Sequence, residues 1–255
     1  MAYGRRPAVS TLASVFPQGF GSGRFDHSVA DHVLVAVFAL DDWRAWTTEA
    51  FALIDARELM RVRRQRRDAH QDSLALAYAL HRLFLSHALR VPLARVPLAR
   101  DSRGRPVLEG MAADTSLSHA DGHVAVAVSL HGPVGVDIEP AHRAGVMPEI
   151  AGRICHGDEL ARFAGLRDAQ RAAGLLDLWV RKEAYLKAAG VGLEREMDTF
   201  ALPEGEAQAL HPGDAVRVGT DLLSLGPDIV CAVAKAPEVA CRAGRLRPVL
   251  AGGVP

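Results

Sequence analysis

The sequence predicts an α+β fold built as a pseudo-twofold pair of similar α/β subdomains, each an antiparallel sheet packed by helices. Two observations predict it. Strand-like and helical stretches follow in the order strand, helices, crossover, strands, helices, strand, with no exact sequence repeat. A cluster of breakers, Pro92, Pro97, the turn Asp101-Ser102-Arg103-Gly104 and Pro106, interrupts the chain near its middle. A length of 255 residues accommodates two such halves. The expected division is a poorly defined segment at 1–30, an N-terminal subdomain at 31–112, a C-terminal subdomain at 113–235 and a tail at 236–255.

Each element has a local reason. His32 to Leu40 is a buried strand because Val33-Leu34-Val35-Ala36-Val37-Phe38 is continuous, apolar and rich in β-branched residues. Thr47 to Met60 has helical spacing through Phe51, Ile54 and Leu59, and a longer helix over Asp68 to Ala88 turns Leu76, Leu80, Leu83 and Phe84 inward. His123 to Leu130 and Val134 to Glu139 read as strands, and His131-Gly132-Pro133 between them predicts a hairpin. Helices follow at Asp158 to Phe163 and Ala169 to Ala189, the second stopped by Gly190, and Ile229 to Ala234 is a late strand.

A hydrophobic content of 49% with 24% charged residues describes an ordinary globular chain rather than a disordered or membrane one. Thirty basic residues balance thirty acidic ones, which removes any global electrostatic case for nucleic acid or membrane binding and makes any anion site local. Cys155, Cys231 and Cys241 are odd in number and follow no metal-ligand spacing, which fits a reducing compartment. No run of 18 apolar residues occurs, and the first 30 residues lack an apolar stretch behind a basic start, so a cytoplasmic protein is expected.

On the strand at 134–139, period two sends Val134, Val136 and Ile138 to one side and Gly135, Asp137 and Glu139 to the other. The two carboxylates then stand roughly 7 Å apart at Cβ, beside a glycine that leaves room above the sheet. They form either a solvated strand end or a grip for one hard cation. In Trp179-Val180-Arg181-Lys182-Glu183-Ala184-Tyr185-Leu186-Lys187, a strong helix former, Glu183 and Lys187 sit at i and i+4. Read on spacing alone they are a surface ion pair beside a core tryptophan. Arg61, Arg63, Arg64, Arg66 and Arg67 form the densest positive run, a solvated face or a nucleic-acid patch, the latter weakened by the neutral total charge and the lack of interleaved aromatics.

Taken together, Gly135-Val136-Asp137-Ile138-Glu139 and the segment Trp179 to Lys187, with 43 residues between Glu139 and Glu183, resemble the 4'-phosphopantetheinyl transferases. The likeness is to the two-lobed monomeric class that looks like the surfactin-synthetase-activating enzyme. Leu117-Ser118-His119 resembles the Ser-His element upstream of that family's acidic motif, and Gly104-Arg105-Pro106 its Gly-Lys-Pro turn with arginine for lysine. Cys155-His156-Gly157-Asp158-Glu159-Leu160 occupies the place of a segment whose glutamate helps at the metal. Asp68-Ala69-His70-Gln71 departs from the family, with glutamine where a basic residue is common. The resemblance covers about residues 60–235.

The resemblance implies magnesium-dependent transfer of the 4'-phosphopantetheine arm of coenzyme A to a serine of an apo acyl or peptidyl carrier protein, releasing adenosine 3',5'-bisphosphate. The alternative is a catalytically silent relative that binds coenzyme A or the carrier. It implies Mg²⁺ held mainly by Asp137 and Glu183, with Glu139 and Glu159 as further ligands, direct or through water. Glu183 would take the serine proton, and Lys187 would orient Glu183 or meet a phosphate. Ser118 and His119 fall at the phosphates, as do Arg105 and either Arg64 or Arg67, which would bind the 3'-phosphate in particular. Carrier recognition would draw apolar contacts from the linker and Met147 to Phe163, with Arg153 and Arg162 as charged edges, although a packed amphipathic core helix explains those hydrophobics equally well.

Overall fold

The computed structural model describes residues 10–21, 23–192, 195–211 and 213–250. In chain order its main elements are β1 (His32–Ala39), α1 (Thr47–Leu53), α2 (Ala56–Arg63), α3 (Asp68–Leu89), β2 (Leu98–Arg100), β3 (Pro106–Leu108), β4 (Asp114–Ala120), β5 (His123–Ser129), β6 (Gly135–Pro140), α4 (Gly157–Ala164), α5 (Asp168–Ala189), β7 (Arg217–Leu222), β8 (Ile229–Lys235) and β9 (Ala240–Arg245). Two four-stranded sheets result. The first runs β9-β1-β5-β4, and the second runs β6-β8-β7 with the short strand Gln208–Ala209 at its edge. All their pairings are antiparallel except β9 with β1.

Strand alternation distributes the core. From β1, Leu34, Ala36 and Phe38 pack with Leu76, Leu80 and Phe84 of α3, whereas Val33, Val35 and Val37 join Val136 and Ile138 of β6 and the preceding Val134 in a core shared by the two sheets. In the second lobe Leu175, Leu178 and Leu186 of α5 pack with Ala232 and Ala234 of β8. Each lobe is thus a sheet with one long helix behind it, the two-lobed pseudo-twofold architecture that the sequence predicts. Both long helices end on a residue in the left-handed region, α3 at Arg90 and α5 at the expected Gly190.

Several expectations are corrected. The helix expected over 47–60 is broken at Ile54, because Asp55 caps α2 and exchanges bonds with Glu58 in a capping box. The predicted hairpin of 123–130 with 134–139 does not form. Instead β5 turns through Asp121 and Gly122, both at positive φ, to pair with β4, while β6 pairs with β8. Strand pairing therefore groups 114–129 and 240–245 with the first sheet, where the expected boundary places them in the second subdomain and a tail. The N-terminal segment, from residue 10 onward, is not loose. Leu12, Val15, Phe16 and Phe25 are buried in the first core, and Trp46 Nε1 donates to the Ser10 carbonyl at 2.8 Å. Residues 1–9 lie outside the described ones.

Candidate active site

The lobes meet where β4 and β6 run side by side, joined by side chains rather than a backbone ladder. Asp114 Oδ2 accepts from the Val134 amide (2.9 Å) and Ser116 Oγ from the Val136 amide (3.1 Å), while Ser118 Oγ donates to Asp137 Oδ1 (2.7 Å). Three polar residues at alternate positions thus meet the amides and carboxylate along the facing strand. The Asp-x-Ser-x-Ser alternation over 114–118 carried that signal, which sequence reasoning did not use beyond Ser118 and His119.

Gly135 brings α5 to the seam. A Cβ there would stand 1.9 Å from the Ala184 carbonyl oxygen and 2.6 Å from the Ala188 nitrogen, so the helix backbone itself fills the space expected to be open above the glycine. This close approach sets Lys187 Nζ 2.6 Å from Asp137 Oδ1. The expected Glu183–Lys187 ion pair is replaced by this contact between helix α5 and strand β6 of the same lobe. Asp137 Oδ2 is buried with no hydrogen-bond partner among the described residues. Burial, then the Asp137 charge, push the Glu183 carboxyl up to about 7 against the opposing pull of Lys187, with Glu139 adding to the rise. Glu139 is also raised by burial, opposed by Arg143, whose Nη1 lies 3.3 Å from its Oε1. Asp137, Glu139 and Glu183 therefore form one electrostatically coupled acidic group, carrying more negative charge than Lys187 balances.

Beside it opens a cleft of about 370 Å³ whose lining includes Arg61, Arg100, Arg103, Arg105, His119 and Lys187. The Asp101 carboxylate accepts from the Arg103 and Arg105 amides, both at 2.9 Å, which fixes the turn carrying Gly104 at φ +85°. Arg103 Nη1 crosses to the Gly190 carbonyl at the end of α5 (3.0 Å). Arg105 donates to Asp114 and keeps a buried Nε without a hydrogen-bond partner among the described residues. Burial, then the charges of Lys187 and Arg100, hold His119 below the usual histidine range, so it meets the cleft as a neutral ring at neutral pH. It also borders a second cavity of about 290 Å³ with Gln65 and His70.

The structure separates other expected residues from this site. Glu159 closes the capping box of α4 and is buried against Lys182, whose Nζ lies 2.5 Å from Glu159 Oε2, while Oε1 accepts from the Leu202 amide (2.8 Å). Both oxygens are committed inside the second lobe, so Glu159 does not join the other carboxylates. Arg64 and Arg67 are exposed and outside the cleft, since the register of α2 turns Arg61 into it instead. Ser118 is held by Asp137 rather than open to a ligand. Arg100 was missed because nothing in an isolated Leu98-Ala99-Arg100 marks its direction.

The fold and site define a two-lobed α+β protein with coupled carboxylates next to an arginine-lined cleft, to which Asp137 is linked through Ser118 and Lys187. Residues 133–230 match the sequence model of the 4'-phosphopantetheinyl transferase superfamily. The 4'-phosphopantetheinyl transferase HetI of Nostoc sp. is 28% identical over 216 residues, covering 82% of this chain and 88% of that protein. The 4'-phosphopantetheinyl transferase gsp of Aneurinibacillus migulanus is 27% identical over 135 residues, covering 53% and 55%. The chain is thus similar to 4'-phosphopantetheinyl transferases, over residues 133–230 in the superfamily model and over most of its length in the Nostoc protein, and nothing in these likenesses singles out the surfactin-synthetase-activating type. No helix of the described residues is long and apolar enough to cross a membrane.

Proposed function

We propose that this chain transfers the 4'-phosphopantetheine arm of coenzyme A to a serine of an apo carrier protein. The observation that carries the reading is the meeting of Asp137, Glu139 and Glu183 with a cleft lined by arginines and Lys187. The cleft's charge suits a substrate with three phosphate groups, and its walls come from both lobes.

Among the described residues no group of three or more His, Cys, Asp or Glu side chains is gathered to hold a metal. Magnesium needs only one or two carboxylates when substrate phosphates and waters complete its shell, and the orphaned Asp137 Oδ2 beside Glu183 fits that partial donor set. Asp137, with Glu183 and Glu139 beside it, would hold the ion, which when bound neutralises pyrophosphate charge.

The chain's own residues supply the rest. Arg61, Arg100, Arg105 and His119 bind and orient the phosphates of coenzyme A, converting a bimolecular encounter into a positioned one. Lys187, anchored by Asp137, offers its remaining N–H groups to a phosphate oxygen. Glu183, with a carboxyl near neutrality, accepts the serine proton. The serine oxygen–phosphorus bond forms as the phosphorus–oxygen bond to adenosine 3',5'-bisphosphate breaks, the electron pair leaving with the bisphosphate.

The test is incubation of the chain with coenzyme A, Mg²⁺ and several folded apo acyl and peptidyl carrier proteins, read by intact mass. The expected result is one added phosphopantetheine arm on at least one carrier. No modification of any of them contradicts the proposal.

A further inference from the structure

Two guanidinium groups of the cleft are organised by one aromatic side chain that no motif marks. Tyr78 sits on α3, 3% exposed, at the wall of the cleft. Its hydroxyl accepts from Arg61 Nε at 3.3 Å, and its ring carries the Arg100 guanidinium 4.4 Å from the centroid. Arg100 Nη1 donates to the Gly104 carbonyl at 3.0 Å, while its Nε and Nη2 are buried without a hydrogen-bond partner among the described residues. The nearest carboxylate oxygen to Nη2, Glu58 Oε1, is 3.9 Å away, beyond hydrogen-bond reach. The Arg61 guanidinium lies over Gly104, where a Cβ would come within 2.8 Å of Nη1.

Like charges held this close repel, and buried N–H groups with no acceptor are costly. A ring face relieves part of that cost for one guanidinium, and a hydroxyl oxygen does so for the other. Both residues line the cleft, where an anion would offset the repulsion between their guanidinium groups.

We propose that Tyr78 is a positioning residue that holds Arg61 and Arg100 together as a receptor for phosphate, and so sets the affinity for coenzyme A rather than the rate of transfer. This rests on the coenzyme A reading above. The test titrates coenzyme A calorimetrically into the full-length chain at fixed ionic strength, with transfer kinetics in parallel, for wild type, Tyr78→Phe and Tyr78→Leu. Tyr78→Phe keeps the ring and loses the oxygen, and weakens binding about threefold. Tyr78→Leu loses both and weakens it about tenfold or more. KM for coenzyme A rises in step while kcat at saturating coenzyme A falls less than about twofold, a split that general loss of structure does not produce. If Tyr78→Leu does not fold, Tyr78→Met replaces it. Unchanged affinity in the variants, or a loss carried by kcat with KM constant, overturns the role of Tyr78 while wild-type binding leaves the function standing. Wild-type protein that binds no coenzyme A overturns both.

Discussion

At Asp137 one carboxylate oxygen is shared between Ser118 and Lys187 and the other has no hydrogen-bond partner among the described residues. That asymmetry and the displaced acidity of Glu183 define the chemistry at the residue scale. Asp137→Ala and Glu183→Ala should each lower turnover by about a hundredfold or more, with melting curves showing folded protein. Near-normal turnover in both contradicts their central roles. Acidity also couples to stability. The Glu183 carboxyl is raised from 4.5 to about 7 in the folded chain, so its favourable contribution is complete below about pH 4.5 and is lost as pH rises through 7. In chelator, melting temperatures should therefore fall more steeply for wild type than for Glu183→Gln between about pH 5 and 8, a window that contains the raised value. Parallel profiles contradict the assignment. The sequence marked Asp137, Glu183, Lys187 and Arg105 through motif and spacing, but Lys187 found Asp137 rather than its helical neighbour. A contact 50 residues away in the chain outcompetes an i,i+4 pair because Asp137 is largely buried and a surface pair is weak.

Elements carry these side chains to one another, and Gly135 is where β6 and α5 come closest. Gly135→Ala would drive a methyl group into the Ala184 carbonyl and lift the helix that bears Glu183 and Lys187. The expected loss of stability is about 3 kcal/mol, with activity lost even in the folded fraction, measured by denaturant unfolding and the transfer assay. A change below about 0.5 kcal/mol contradicts the close packing. Strands and helices with strong periodicity, β1, α3, α5 and β8, were legible because burial on one side writes itself into spacing. Asp114 to Ala120 was not, since its polar residues serve the seam rather than a solvent face. Ala240 to Arg245 was not either, because Ala-Cys-Arg-Ala-Gly-Arg has little strand preference of its own and is drawn into the sheet by pairing with β1. The break between α1 and α2 was readable from Asp55 and Glu58 as a capping box and was overridden by continuous helical spacing.

Across the whole molecule, two neutralising problems face each other over the seam: carboxylates in excess on the second lobe and guanidinium groups in excess on the first. The sequence foretold two similar halves but not how they interlock, because the hairpin of β4 with β5 and the return of β9 depend on which strand edge is free, not on local pattern. Bringing the halves together leaves a cation missing from one side and an anion from the other. On the proposed function the two deficits would be filled jointly by a divalent ion and a polyphosphate substrate, which would make their binding mutually dependent. The most direct measurement is calorimetric titration of coenzyme A into wild type and Asp137→Ala, with and without Mg²⁺. Mg²⁺ should tighten coenzyme A binding to wild type by about tenfold or more and leave Asp137→Ala nearly unaffected. Equal affinity in wild type with and without Mg²⁺ contradicts the account.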